Sequence, residues 1–186
     1  MIRRNPSGDL PRIHPNAYVD PTAIICGKVI IEAEVFIGPY AVIRADEVDA
    51  SGMMEPIVIH TNSNVQDGVV IHSKEGAAVI IGRRVSIAHR SIVHGPCRID
   101  DDVFIGFNSV LFNCTVGMRT VVRHNSVVEA CNLPAGFHVP STTTIHSDAD
   151  LSRIVQVSPD ETTFSESVVN ANNRLVVGYR SIRNEF

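Results

Sequence analysis

The chain has 186 residues, room for one well-packed domain, with a formal net charge of −4 and 19% charged residues. That balance gives no basic face for nucleic acid. No run approaches the ~18 uncharged apolar residues of a membrane span. The first residues, MIRRNPSGDLPR, lack an apolar signal core, and the cysteines at 26, 97, 114 and 131 form no CxxC pair. A cytoplasmic protein, with no nucleic-acid or membrane partner, is the expectation. Aromatic residues are 5% of the chain, while valine and isoleucine are abundant, which favours β-structure.

Aliphatic residues recur every six positions from the start: Ile13, Val19, Ile25, Ile31, Ile37 and Ile43. The beat resumes at Ile59, Val65 and Ile71, then runs through Ile81, Ile87, Val93, Ile99, Ile105 and Leu111. After a one-residue slip it continues at Val116, Val122 and Val128. A small residue often sits two before the aliphatic one, as at Ala17, Ala23, Ala41, Ser63, Ser91, Cys97, Ser109, Cys114 and Ser126. A period of six does not fit a helix and points to a parallel β-helix, with each hexapeptide one side of a three-sided coil. Aliphatic side chains stack inward, and the small residues, Cys97, Cys114 and Cys131 among them, fill the corners.

Two gaps break the beat. Ile43 to Ile59 reads as two hexapeptides plus four residues, and Ile71 to Ile81 as one hexapeptide plus four, so loops are expected at both places. After Leu133 the repeat fades. Ser147, Asp148 and Asp150 read as a helix start, and Phe164, Val168, Ala171, Leu175 and Tyr179 form a helical stripe. The division expected is a β-helix over 1–146 and a helical segment over 147–186 packed on it, capping an open edge.

The repeat sets where histidines fall. With Ile71 on the first side, Ile81 lies on the second, Ile87 on the third and Val93 on the first again. His72 and His94 each follow an aliphatic residue on the first side, in neighbouring coils, so their rings stack roughly 5 Å apart at the backbone. Two neutral imidazoles so placed can share one ion. His89, two after Ile87, belongs to the third side and reaches that ion only if another copy of the chain supplies it. A head-to-tail contact of this kind closes as a ring of three, so the spacing predicts a homotrimer with metal between subunits. By the same count Ile43 and Val65 share the third side, which stacks Arg44 on Gln66 and places Asp67 beneath His89, with Asp46 and Glu47 just beyond Arg44. Arg44, Asp46 and Asp67 read as a salt bridge between subunits. His14, His60, His124, His138 and His146 have no partner in register and read as surface or packing residues.

The segments VQDGVVIH, SIAHRSIVHGP and DDVFIG, with IRADE at 43–47, resemble the γ-class carbonic anhydrases over nearly the whole chain. The resemblance implies a left-handed β-helix, against the usual right-handed crossover, and a trimer with metal between subunits. It implies His72, His89 and His94 as metal ligands and Gln66 as the glutamine that orients the reacting water and the substrate. Arg44 matches the arginine of the intersubunit salt bridge, with Asp46 and Asp67 its acidic partners. Glu47 matches a carboxylate beside the metal's water, and Asn172 an asparagine near the active site. An archaeal member carries a long acidic loop with a proton-shuttle glutamate; here the loop is SKEGAA with Glu75 at that position, and Asn170 stands for a nearby tyrosine.

The expected activity is reversible hydration of CO2 to bicarbonate with zinc, iron(II) or cobalt as the ion. Two other readings stand beside it. Hexapeptide-repeat proteins include CoA-dependent acyltransferases with one general-base histidine between subunits, and fold alone does not separate them. A metal-stabilised trimer without catalysis, serving as a scaffold or assembly subunit, is the third.

Overall fold

The computed structural model describes residues 1–183. Hexapeptides form a left-handed parallel β-helix of about seven turns, closed by one C-terminal helix, Pro159–Arg183. Three ladders of short parallel strands make the faces. Face 1 stacks Ile25, Ile43, Ile71, Val93, Leu111, Val128 and Ile145. Face 2 stacks Ile13, Ile31, Ile59, Ile81, Ile99, Val116 and Leu133. Face 3 stacks Val19, Ile37, Val65, Ile87, Ile105, Val122 and Val139.

Nearly all of these side chains are fully buried, so the core is one continuous aliphatic column. The small residues fill the corners as expected. Where they are serines, the hydroxyl serves the backbone: Ser63 Oγ donates to Gly82 O (2.7 Å), Ser91 to Gly106 O (2.8 Å) and Ser109 to Arg123 O (2.9 Å). Each hydroxyl thereby gives a carbonyl at the sharp corner a partner, and Gly106 O accepts the Ser109 N–H as well (3.3 Å). Cys97, Cys114 and Cys131 occupy the same slot and are buried. The residue that turns the corner adopts a left-handed backbone, as at Asn62 (φ 62°), Arg84 (φ 56°) and Arg90 (φ 60°).

The spacing misplaced one turn. Ile43 pairs with Ile71 on face 1, not with Val65, which pairs with Ile37 and Ile87 on face 3. No hexapeptide lies between Ile43 and Ile59: residues 46–56 are a single loop. Asp49 Oδ1 organises it by accepting from the backbone N–H of Ser51 and Met53 (both 2.8 Å), and Met54 plugs into the core. Arg44 therefore shares a column with His72, not with Gln66. The second loop, after His72, packs on the first through Gly76 N–H to Glu47 O (2.9 Å).

The C-terminal segment begins with a 3-10 helix, Asp148–Arg153, where a helix start was expected. Val155–Gln156 then pairs antiparallel with Phe137–Val139 and covers the last rung of face 3. The long helix returns along face 3 toward the first coil. Glu161 meets His138 (3.2 Å), Phe164 packs edge-on to Phe104 (5.1 Å), Tyr179 stacks on Tyr18 (4.7 Å) and Arg180 pairs with Glu34 (3.7 Å). The helix buries Val169, Asn172 and Val176 most deeply against the coils, and of the expected stripe Val168 packs beside Phe104. Phe164, Leu175 and Tyr179 remain about 40% exposed and wall a groove beside the helix.

Ile87→Ala removes a fully buried side chain from this column and is expected to cost about 2–5 kcal/mol. Arg98→Ala, on the outer surface, is expected to stay within about 0.5 kcal/mol. Urea midpoints of the two variants against the parent check both.

Candidate metal centre

Two clusters emerge. The first lies where face 1 turns toward face 2. There Arg44, His72 and His94 occupy successive rungs, with His72 the Cα partner of both others. His72 Nδ1 and His94 Nε2 are 3.3 Å apart. His94 Nδ1 lies 3.1 Å from Gly95 O, an acceptor only, so Nδ1 carries hydrogen and Nε2 a lone pair. His72 Nε2 lies 3.2 Å from Asp46 Oδ1 and 3.5 Å from Glu47 Oε1, with the Arg44 guanidinium at 3.3 Å. The carboxylates accept from a protonated Nε2, which leaves the lone pair on Nδ1, whereas the Arg44 guanidinium donates to an unprotonated one.

With both lone pairs turned inward the two rings can hold one cation between them; with the His72 ring in its other tautomer they share a hydrogen bond. Two nitrogens bound at about 2.0–2.1 Å to a tetrahedral ion are about 3.3–3.4 Å apart, so this pair has the span of two metal ligands. Asp46 also pairs with Arg44 within the chain (3.3 Å), holding the carboxylate against the ring. Glu47 is half exposed and Glu75 exposed on the second loop. Among the described residues, no three metal-binding side chains meet within one chain.

The second cluster lies along face 3 and its corner with face 1. His89 sits at that corner, its Nδ1 3.6 Å from Asp67 Oδ2 on the rung before, as expected, and its ring over Phe107 (5.3 Å). Its side chain is 46% exposed. Phe107 in turn stacks on His124 (4.5 Å). Burial and then the charge of Arg123 push His124's pKa down, so the neutral ring accepts the Phe107 N–H at Nδ1 (3.0 Å). His89, Gln66, Asp67 and Asn172 border one groove of about 470 Å³ between the corner and the helix. Its remaining wall is mainly apolar, with Phe104, Phe107, Phe164 and Leu175.

Gln66 is buried at the floor of this groove. Its Nε2 donates to Asn64 Oδ1 (2.9 Å), and Asn64 Nδ2 donates to Ser86 Oγ (2.8 Å). The chain of bonds fixes the amide and leaves Oε1 as the acceptor for the groove. Asn172 reaches the same groove from the helix, its Nδ2 tied to Val168 O (2.9 Å). Sequence reasoning missed Asn64 and Ser86. The signal was available: Asn64 is two before Gln66 and shares its outward face, at a phase of the repeat otherwise filled by Tyr18, Phe36, Phe104 and Val121.

The chain is 37% identical over 197 residues to a carbonic anhydrase of Methanosarcina thermophila, covering 95% of this chain and 77% of that one. The chain belongs to the γ-carbonic anhydrase family. It is 35% identical to the carboxysome assembly protein CcmM of a Nostoc species over 90% of this chain, which spans 31% of that protein. Residues 11–45 match the family described as bacterial transferase hexapeptide (six repeats). A crystal structure of a Bacillus cereus protein described as an acetyltransferase superposes with a TM-score of 0.83, covering 98% of each chain at 21% identity, a likeness of fold. No helix among the described residues is long and apolar enough to cross a membrane.

Ser86→Ala leaves the Asn64 amide hydrogen unpaired in a buried position. The expected cost is about 1–3 kcal/mol, checked by urea unfolding. Ser86→Thr, which keeps the hydroxyl, is expected to recover most of it.

Proposed function

We propose that the protein catalyses reversible hydration of CO2 to bicarbonate as a homotrimer, with an ion held by His72 and His94 of one protomer and His89 of the partner subunit. The facing ring nitrogens of His72 and His94, 3.3 Å apart, carry this reading. Three features support the third ligand coming from another copy. His89 and the His72–His94 pair stand at opposite edges of face 1. The outer surface between them is a stripe of β-branched residues, Ile24, Val42, Val70, Ile92, Val110 and Val127, that the helix does not cover. The turn at His89 is exposed, and its Nε2 is the nitrogen left over once Asp67 holds Nδ1.

Zinc, iron(II) or cobalt suits three imidazoles, and such an ion supplies a Lewis acid that makes water nucleophilic near neutral pH. The rest of the chemistry belongs to the chain. Gln66 Oε1 fixes the direction of the reacting water, with Asn64 and Ser86 behind it. The apolar wall of Phe104, Phe164 and Leu175 admits a small uncharged substrate and keeps competing water out. Asn172 adds a polar group from the helix side. Glu47, 51% exposed and beside His72, moves the surplus proton toward solvent, with Glu75 on the adjoining loop a second carrier. Arg44 and Asp46 hold the His72 ring, and the pair extends to Asp67 of the partner subunit when the trimer closes.

A second reading, a metal-bound assembly module without turnover, is favoured by the likeness to CcmM. Protein purified without oxygen and loaded with iron(II), cobalt or zinc is expected to hydrate CO2 in a stopped-flow pH-indicator assay. One ion per protomer with no turnover under any metal would instead select the assembly reading.

His89→Ala and His94→Ala, each assembled alone, are expected to lose bound metal on the order of tenfold or more. Trimers assembled from a mixture of the two regain sites, because an intact His72–His94 pair on one protomer meets an intact His89 on the next. Metal content by mass spectrometry reads this directly; no regain in the mixture would place all ligands within one chain. Metal uptake falls as pH drops, since the ligating nitrogens must be unprotonated.

A further inference from the structure

Cys97 and Cys114 stand on neighbouring coils as Cα partners, where face 1 turns into face 2. Their sulfurs are 3.6 Å apart, in contact but unbonded. Adjacent parallel strands run about 4.8 Å apart, within the range of Cα separations a disulfide spans. Rotation about the Cα–Cβ bonds carries the sulfurs from this contact toward the bonding distance of about 2.05 Å. Both residues also border a surface depression of about 310 Å³, shared with Pro96 and Thr115, that opens between the two strands. The other cysteines are engaged elsewhere: Cys131 Sγ turns to Ile145 O (3.7 Å), and Cys26 Sγ to Arg4 O (3.6 Å) on face 1.

We propose that Cys97 and Cys114 are a site of reversible oxidation, closed by a peroxide into a disulfide that joins two coils. One of the two sulfurs, as its thiolate, attacks one peroxide oxygen; the O–O bond breaks, water leaves with the thiol's proton, and that cysteine becomes a sulfenic acid. The other cysteine then attacks that sulfur, the S–O bond breaks, and a second water leaves with the remaining proton. In sum two thiols and one hydrogen peroxide give one disulfide and two waters; each sulfur loses one electron and each peroxide oxygen gains one. Either sulfur can donate in the contact between them, so the geometry serves both orders. The strand that carries Cys97, Ile92–Ile99, also carries His94. Oxidation therefore pins the metal-binding rung to the coil behind it, and a dithiol reductant releases it.

The whole chain, folded, is treated with hydrogen peroxide, freed of peroxide with catalase and weighed intact, then denatured, blocked with iodoacetamide and digested with trypsin without reduction. The expected product is lighter than the reduced protein by about 2 Da, two hydrogens, and joins peptide 91–98 to peptide 99–119. Dithiothreitol restores the original mass. Cys131→Ser and Cys26→Ser leave the cross-link intact, while Cys97→Ser and Cys114→Ser abolish it. A chain that gains oxygen at either cysteine without the cross-link overturns the proposal. So does one whose mass does not change, or a cross-link that uses Cys131. Because the peptide pair is read on the parent protein, the result stands even if a serine variant fails to fold.

Discussion

Register between parallel strands is the constraint on which the molecule rests. Each coil hydrogen-bonds the next through its backbone, so residues at the same phase of the repeat are forced into columns. The aliphatic column is the visible result, but every other column obeys the same rule. Arg44, His72 and His94 touch because Ile43, Ile71 and Val93 are in register inside. Asp67 lies against His89, and Ser86 against Asn64, for the same reason. Positions on the exterior are thus set by packing in the interior, and a polar site is built without any residue having to find its partner by itself.

The sequence could be read to the extent that the period was unbroken. The inward beat, the small corner residues, the His72–His94 pair and the contact of Asp67 with His89 follow from counting by six. Counting failed at 46–56. Val48 and Met54 are apolar residues that enter the core from a loop, so they imitate a hexapeptide that is not there, and Arg44 was sent to the wrong column. The helical stripe could be read, since Phe164, Val168 and Tyr179 do face the coils; the deepest positions, Val169, Asn172 and Val176, lie one residue further on from Val168, Ala171 and Leu175 and are set by the shape of face 3. Three histidines without an expected partner have an acidic one in space. His60 meets Glu32 (2.9 Å), His138 meets Glu161 (3.2 Å) and His146 meets Asp150 (3.1 Å). The first is a contact across a 28-residue coil that the displaced count obscured. The second joins the solenoid to the helix, which no repeat predicts.

The interior of a solenoid says nothing about its corners, so the fold by itself fixes no chemistry. The Bacillus cereus structure shares the solenoid at low identity. In this chain the distinguishing groups are few: two rings at one edge of face 1, a third at the other, and a glutamine anchored by an asparagine and a serine. Most of them are ordinary outward positions of the repeat. What singles them out is burial of polar atoms, as with Asn64 and Gln66, whose amides are paired with each other among apolar neighbours.

A bare solenoid is nearly one-dimensional, each turn held only by those beside it, and so is free to fray from either tip. The returning helix changes that. It is fastened to the last turns by Glu161 and Val155–Gln156, and to the first by Tyr179 and Arg180. Loss of either terminal turn therefore loosens the fastening of the other. The strut converts a stack that would melt from its ends into a body that opens as a unit, with Asn172 at its middle.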